Sequence, residues 1–309
     1  MERAIKIIWY YCLGRPLKFV FSLIRPVCTP SEKSVVWLRF IGKFSVADGV
    51  RKRFYLYNNG YYLESGIFWL GLENFSWENM SRRIWRKLCQ EAETIFDIGS
   101  NTGIYSILAK QSNPGSTVYA FEPQPNIYRV LKKNNRINGF DIHTENLALS
   151  DQAGKLPFFN SGTDAFTLGN STSGSLNKQW RPEKQNSIMV SVTTLEDFIG
   201  ENNISKIDLI KIDVETQEYE VLHGYGQLLA IHRPVILLEI QEREIGEKIK
   251  FVFDALDYLY FTIDEQRGLT AVKSLGLKEE DRNYLLCPSS EAGRIQEFLT
   301  DGIRKQIMG

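Results

Sequence analysis

The run Thr94-Ile95-Phe96-Asp97-Ile98-Gly99-Ser100-Asn101-Thr102-Gly103-Ile104-Tyr105-Ser106 constrains the fold more than any other part of the chain. A short apolar stretch delivers an acidic residue and then two glycines four apart, and helix-compatible sequence follows from Ile104 to Lys110. Such a stretch reads as a parallel strand buried on both faces. A turn almost free of side chains, set between that strand and a helix, brings the backbone close to a ligand at the carboxyl edge of an open sheet. Further on, Thr117-Val118-Tyr119-Ala120-Phe121 forms a second β-rich run that closes at Glu122-Pro123. An acid at that point is placed to accept hydrogen bonds from two ribose hydroxyls.

Charge separates the nucleoside ligands that such an edge holds. Dinucleotides and triphosphates are anionic, whereas S-adenosylmethionine carries an ammonium and a sulfonium, so Asp97 suits the second kind. The glycine spacing departs from G-x-G-x-x-G and the P-loop lysine is absent, which makes a nicotinamide oxidoreductase the weaker reading. Taken singly, Asp97 and Glu122 read equally well as helix caps or surface carboxylates. Together, at the ends of successive strands, they point to cofactor binding.

From Glu93 onward the pattern alternates. Strands are expected at 94–98, 117–122, 141–147, 207–213 and 234–240, with helices at 103–111, 125–137, 217–229 and 246–259. Alternation of this kind implies a parallel sheet covered on both faces. Segments near 261–264 and 283–287 fit an antiparallel finish, and 291–305 a closing helix. Upstream, 53–57 and 61–64 flank Asn58-Asn59-Gly60 as a hairpin, and Ser76-Trp77-Glu78-Asn79 opens a helix with Trp85 and Leu88 on its apolar face. The 309 residues, 43% hydrophobic and 24% charged, exclude a disordered or membrane-spanning chain. Four scattered cysteines without a Cys-x-x-Cys pair, and three histidines, make a zinc site and a disulfide framework poor readings and favour a reducing, cytoplasmic setting. No metal is assigned.

The net charge is zero, yet residues 1–53 carry eleven basic side chains against three acids. This extension is also aromatic, and Lys6, Arg15, Lys18 and Gly14-Arg15-Pro16 interrupt any span of the roughly 20 apolar residues a membrane helix needs. It reads either as a surface that docks on the inner face of an anionic membrane or as a helical cap on the domain. Residues 160–188 are rich in Asn, Ser, Gly and Thr around an isolated Trp180, and read as a loop contacting a polyhydroxylated acceptor or as a plain solvated one.

Ile207-Asp208-Leu209-Ile210-Lys211-Ile212-Asp213-Val214-Glu215 is an apolar strand that turns ionic at its carboxyl end. Lys211, Asp213 and Glu215 share one side at period two. Methyl transfer to an alcohol needs alignment and a base near the attacking oxygen, for which Asp213 is the first candidate and Glu215 the second, with Lys211 restraining their charge. The plainer alternative is a structural ion-pair cluster. Glu239 ends its own strand in the same way.

These motifs, together with Phe121-Glu122-Pro123-x-Pro125, Ala148-Leu149-Ser150-Asp151, Thr193-Thr194-Leu195-Glu196-Asp197-Phe198 and Leu238-Glu239, resemble the FkbM family of S-adenosylmethionine-dependent methyltransferases over roughly 61–260. The resemblance implies an α/β, class I methyltransferase fold: a Rossmann-like, mostly parallel seven-stranded sheet with helices on both faces, here behind an N-terminal helical and hairpin extension (residues 1–60, with the methyltransferase domain over 61–309). It also implies cofactor contacts at Asp97, Gly99, Ser100, Asn101, Gly103 and Glu122, with adenine near Asn146, Leu147 and Ala148. Thr216-Gln217 stands where the family commonly has Gly-Ala. A β-branched residue adopts positive φ with difficulty, so the turn after Glu215 is expected to differ.

The expected protein is an O-methyltransferase using S-adenosylmethionine, acting on a sugar hydroxyl of a glycan, glycolipid or related natural product, with no nucleic acid as partner. The rival readings are an N- or carboxylate methyltransferase and a non-catalytic cofactor- or glycan-binding module.

Overall fold

The computed structural model describes residues 13–47, 53–160, 173–180, 186–276 and 282–300. Helix α1 (Gly14–Ile24) and a 3-10 turn (Glu32–Trp37) lead into an antiparallel hairpin of β1 (Ile41–Ala47) and β2 (Arg53–Asn59). Helices α2 (Tyr62–Leu70) and α3 (Asn79–Cys89) follow, then β3 (Thr94–Ile98), α4 (Ile104–Ser112), β4 (Thr117–Phe121), α5 (Pro125–Asn138) and β5 (His143–Glu145). The chain next makes a side excursion through β6 (Ala148–Leu149), β7 (Gly154–Asn160), β8 (Gly174–Ser175) and β9 (Asn186–Thr193), and returns through α6 (Leu195–Glu201). It then runs through β10 (Leu209–Ile212), α7 (Glu218–His223), α8 (Leu228–His232), β11 (Val235–Glu239), α9 (Arg243–Phe253), β12 (Tyr258–Asp264), β13 (Gly268–Ala271) and β14 (Asn283–Pro288).

Among the described residues the main sheet holds eight strands in the order β13-β12-β14-β11-β10-β3-β4-β5. The five from β11 to β5 run parallel; β14 pairs antiparallel with β11 and β12, and β13 with β12. The expected seven strands are all present, and β13 adds an eighth at the edge. Period-two alternation explains the two-sided covering. Ile95, Leu209, Val235 and Leu237 enter one core with Leu108 of α4 and Trp85 of α3. Their neighbours Phe96, Ile98, Ile210, Ile212, Ile236 and Leu238 enter the other, against Phe198 of α6, Val221 of α7 and Ile249 of α9. The first core continues without a break across residue 60 into Phe40, Phe44 and Phe68.

Local signals set several boundaries. Pro125 stands in the first turn of α5, and Gly139 ends that helix at φ +66. Thr194 Oγ1 accepts from the Asp197 N–H at 3.0 Å and caps α6.

Four expectations are corrected. The hairpin exists, but its strands are 41–47 and 53–59, and 62–64 is helical. Asn58 does not turn a hairpin; its Oδ1 accepts from the Tyr61 N–H at 2.9 Å and its Nδ2 donates to Ser65 Oγ at 2.8 Å, which starts α2. The helix expected over 217–229 breaks into α7 and α8, because Gly224 and Gly226 interrupt it and Gly226 takes φ +57. The closing helix is a 3-10 element over Ser289–Phe298. The polar stretch 160–188 carries strand residues at both ends and at Gly174–Ser175, joined in a second sheet ordered β6-β9-β7-β8. Residues 1–12 and 48–52 of the basic extension, 161–172 and 181–185 of the polar stretch, and 301–305 of the expected helix lie outside the described residues. Among the described residues no helix is long and apolar enough to cross a membrane.

Candidate active site

The chain order reverses between β3 and β10: β4 and β5 lie on one side of this pair, β11 on the other. At such a switch point the connections leave in opposite directions and open a crevice at the carboxyl ends of the strands. A cavity of about 350 Å³ occupies it, lined by Gly99 and Asn101 after β3, Glu122 after β4, Leu147 and Ala148 beyond β5, and Asp213 and Glu215 after β10.

Gly99 takes φ +76, and a Cβ placed there would lie 1.9 Å from the Asp213 carbonyl oxygen. Only glycine lets β3 and β10 stay this close. The Gly99 and Ser100 N–H groups both donate to the Phe121 carbonyl, at 3.1 and 2.9 Å. Asn101 sits at φ +51 and Gly103 at φ +90, so α4 begins immediately behind the turn.

The proposed cofactor residues divide by position. Gly99, Asn101, Glu122, Leu147 and Ala148 line the cavity. Asp97, Ser100, Gly103 and Asn146 lie behind that lining. Asp97 is fully buried in β3; one carboxylate oxygen accepts from Ser106 Oγ and the other has no hydrogen-bond partner. Burial raises its pKa, opposed by the Lys211 ammonium and the Ser106 hydroxyl. Ser100 Oγ donates to the Phe121 carbonyl at 3.1 Å. Gly103 leaves room for Leu131, which would lie 2.4 Å from a Cβ. Asn146 Nδ2 ties the Glu122 and Pro123 carbonyls at 2.8 and 3.0 Å. These four shape the turn from behind.

Glu122 is 6% exposed. Its two oxygens accept from the Gln124 N–H at 2.8 Å and the Asn101 N–H at 3.0 Å. Burial lifts its carboxyl to about 8, and those two N–H groups hold it from rising further. Each oxygen keeps a second lone pair for a ligand hydroxyl.

Lys211 Nζ lies 2.9 Å from Asp213 Oδ2 and 4.6 Å from the centre of the Tyr105 ring. Burial works to lower the Lys211 pKa, but Asp213, Glu78 and Asp97 outweigh it and hold it raised. Glu78 is a functional candidate that the sequence reading treated only as a helix start. It sits at φ +47, lines the cavity, and accepts from the Tyr105 hydroxyl at 2.6 Å. It leaves helix capping to Glu265, which accepts from the Met80 and Ser81 N–H groups at 2.6 and 3.2 Å. Burial pushes the Glu78 carboxyl up to about 7, with Lys211 opposing and Asp213 reinforcing the rise.

Glu215 points to a different set of partners from Lys211 and Asp213. Its Oε2 accepts from Trp180 Nε1 at 3.1 Å and from Gln241 Nε2 at 2.8 Å, and Gln241 also donates to Glu239 Oε2 at 2.9 Å. Burial, then Asp213, pushes the Glu239 carboxyl up to about 8. The turn expected to differ keeps positive φ after all, at +54 for Glu215 and +75 for Thr216. Each such residue stores about 1–3 kcal/mol of strain. Surrounding contacts hold it: Glu218 Oε1 accepts from the Val214 and Thr216 N–H groups at 3.3 and 3.2 Å. Ser175 Oγ donates to the Glu215 carbonyl at 2.6 Å, and Asn177 Nδ2 to Thr216 Oγ1 at 2.8 Å. The last strand of the second sheet and the turn after it therefore bring Ser175, Asn177 and Trp180 against the end of β10. The Trp180 isolated in the sequence is 6% exposed and bound there.

Five carboxyl groups (Glu78, Glu122, Asp213, Glu215 and Glu239) line the cavity, and among the described residues no Lys, Arg or His side chain does. That balance fits a cationic nucleoside and opposes a phosphate-bearing one. Among the described residues no cluster of three or more His, Cys, Asp or Glu side chains is placed to hold a metal.

The strand order β5-β4-β3-β10-β11-β14-β12, with a cavity at its switch point, is the Rossmann-like α/β architecture of the class I methyltransferases. The methyltransferase FkbM domain matches residues 97–268, and the chain belongs to that family. The 31-O-demethyl-FK506 methyltransferase FkbM of Streptomyces tacrolimicus is 33% identical over 156 residues, 43% of this chain and 59% of that protein. The 2-O-methyltransferase NoeI of Sinorhizobium fredii is 27% identical over 190 residues, 57% of this chain and 75% of the relative. The hexuronic acid methyltransferase AglP of Haloferax volcanii is 26% identical over 148 residues, 47% of this chain and 56% of the relative. The chain thus spans less than two thirds of the length of the FkbM and AglP relatives.

Proposed function

We propose that this protein transfers a methyl group from S-adenosylmethionine to a hydroxyl of an uncharged sugar unit in a glycan, glycolipid or related natural product. The observation that carries this reading is the position of Asp213. Its carboxylate is 27% exposed, lines the cavity beside the Gly99 turn and is steadied by Lys211 at 2.9 Å. When bound, the cofactor supplies an electrophilic methyl on a sulfonium. Glu122 would hold the ribose hydroxyls, the Gly99 turn would admit the nucleoside, and Leu147 and Ala148 would flank the adenine. Asp213 would accept the proton of the attacking hydroxyl, a base role an alcohol acceptor needs. Glu215, fixed by Trp180 and Gln241, would orient a neighbouring hydroxyl. Burial raises the carboxyls of Glu78 (about 7) and Glu239 (about 8), so their protonated forms would be available to donate hydrogen bonds to the acceptor.

The relatives' names include O-methylation and a hexuronic acid acceptor. Among the described residues no Lys, Arg or His side chain lines the cavity to pair with a hexuronate or a phosphate, which supports a neutral acceptor. The test is methyl transfer from labelled S-adenosylmethionine to a panel of neutral glycosides, hexuronates and amines. Base-stable methyl ethers on neutral sugars support the proposal. Base-labile methyl esters alone, or N-methyl products alone, overturn it.

A further inference from the structure

We infer that the outer face of α1, with the 3-10 turn behind it, docks the protein on an anionic lipid surface. A helix at the edge of a globular protein ordinarily turns its apolar stripe inward and its polar residues to water. Helix α1 is apolar on both sides. Its inner face holds Gly14, where a Cβ would meet Ile41 at 2.8 Å, and Phe21, whose ring lies 5.1 Å from that of Trp69. Its outer face presents Phe19 at 68% exposure and Leu23 at 64%, and Val27 beyond the helix reaches 87%. Trp37, at the end of the 3-10 turn, is 84% exposed. The core does not use these side chains, and their i, i+4 spacing puts Phe19 and Leu23 on one face of the helix, with Val27 exposed in the turn that follows.

Charge decides what covers this face. Residues 13–47 contain six basic side chains and one acid. Arg15 and Lys33 are exposed, whereas the single acid, Glu32, already accepts from Ser76 Oγ at 2.6 Å. A second copy of the chain docked about a two-fold axis would set these cations against one another. Residues 1–12 supply Arg3 and Lys6 against Glu2, so they add to the positive charge and do not neutralise it. A bilayer with acidic headgroups satisfies both halves of the surface: apolar side chains and a tryptophan enter the interface while the cations meet phosphates.

The placement gives the docking a use. The 3-10 turn packs on α2, and Tyr61, Tyr62 and Leu63 at the start of α2 line the cavity, as does Trp77 next to Ser76. The 3-10 turn of the lipid face therefore packs on the helix whose first residues form one wall of the cavity. Docking there would hold the cavity near an acceptor displayed on the membrane. The docking itself stands whether or not the acceptor is a sugar.

The experiment is co-sedimentation of the full chain with vesicles of phosphatidylcholine alone or mixed with phosphatidylglycerol. Retention on the mixed vesicles is expected, falling as salt is raised. Phe19→Ser with Leu23→Ser should weaken it at least roughly tenfold, and Arg15→Glu with Lys33→Glu should do the same. Both pairs sit at exposed positions, so the thermal midpoint and the affinity for S-adenosylhomocysteine should be unchanged. If the serine pair unfolds the protein, the glutamate pair alone gives the answer. Absence of retention on phosphatidylglycerol vesicles overturns the inference. So does equal retention on neutral vesicles, or a dimer that the serine pair splits while vesicle binding persists.

Discussion

Replacing Gly99 by alanine tests how closely the cavity floor depends on two strands meeting without a side chain between them. The added Cβ would sit 1.9 Å from the Asp213 carbonyl oxygen and 2.8 Å from its carbon, both backbone atoms that cannot rotate away. The residue would also keep φ near +76, a region that costs an L-residue about 1–2 kcal/mol. Relief requires β3 and β10 to part where the Asp213 N–H donates to the Ile98 carbonyl at 3.0 Å. Overpacking of this kind costs about 1–3 kcal/mol. The two effects sum to about 2–5 kcal/mol, and at roughly 2 °C per kcal/mol for a chain of this size the thermal midpoint should fall by about 4–10 °C. The comparison is Gly139→Ala, where φ is +66 but nothing lies within 4 Å of the new Cβ. That variant meets only the conformational cost and should lose about 2–4 °C. Thermal unfolding and calorimetric titration with S-adenosylhomocysteine read both effects, and only the Gly99 variant should also lose ligand affinity. A Gly99→Ala protein that melts with the Gly139→Ala protein and binds as tightly as the wild type would refute the reasoning.

Three other outcomes are expected. Glu122→Ala removes an acceptor held by two backbone N–H groups and should weaken binding of S-adenosylhomocysteine roughly 10- to 100-fold in calorimetry; unchanged affinity contradicts the ribose role. Trp180→Phe deletes one donor to Glu215 and should lower kcat/KM roughly fivefold while leaving cofactor affinity intact, and a loss confined to cofactor affinity would contradict it. Glu78, Glu122 and Glu239 titrate at about 7, 8 and 8, above their usual 4.5, so the folded state binds protons more tightly than the unfolded chain. Stability should therefore be greatest at the acid end of this window and fall as pH rises from about 4.5 to about 8. His232, whose pKa burial lowers, opposes this below about 6.5 as a single group. A thermal midpoint that rises steadily across the window would contradict the assignment.

The parallel core was legible because its strands are short apolar runs buried on both faces and punctuated at their carboxyl ends. β3 was read to the residue, and β4, β10 and β11 to within one or two. Gly99, Glu122 and Asp213, at or just past those ends, line the switch-point cavity. What the sequence hid depends on distance along the chain or on backbone state. The hairpin was misplaced because Asn58 serves the start of α2 through Tyr61 and Ser65, a use that Asn-Gly composition does not reveal. The second sheet escaped because Pro157 interrupts the strand pattern of β7 and β8 is only two residues long. Glu78 read as a helix start because its capping duty is carried by Glu265, far along the chain. Asp97 was placed on the cavity lip, whereas a fully buried strand residue lies behind it. The composition after Glu215 suggested an altered turn, yet contacts from Glu218, Ser175 and Asn177 hold Thr216 at φ +75.

The most direct test of the account is a crystal structure of the protein with S-adenosylhomocysteine. The nucleoside should lie in the crevice between the ends of β3 and β10, with its ribose hydroxyls on Glu122 and its sulfur turned toward Asp213. Ligand bound elsewhere, or a nucleoside whose ribose faces away from Glu122, would contradict it.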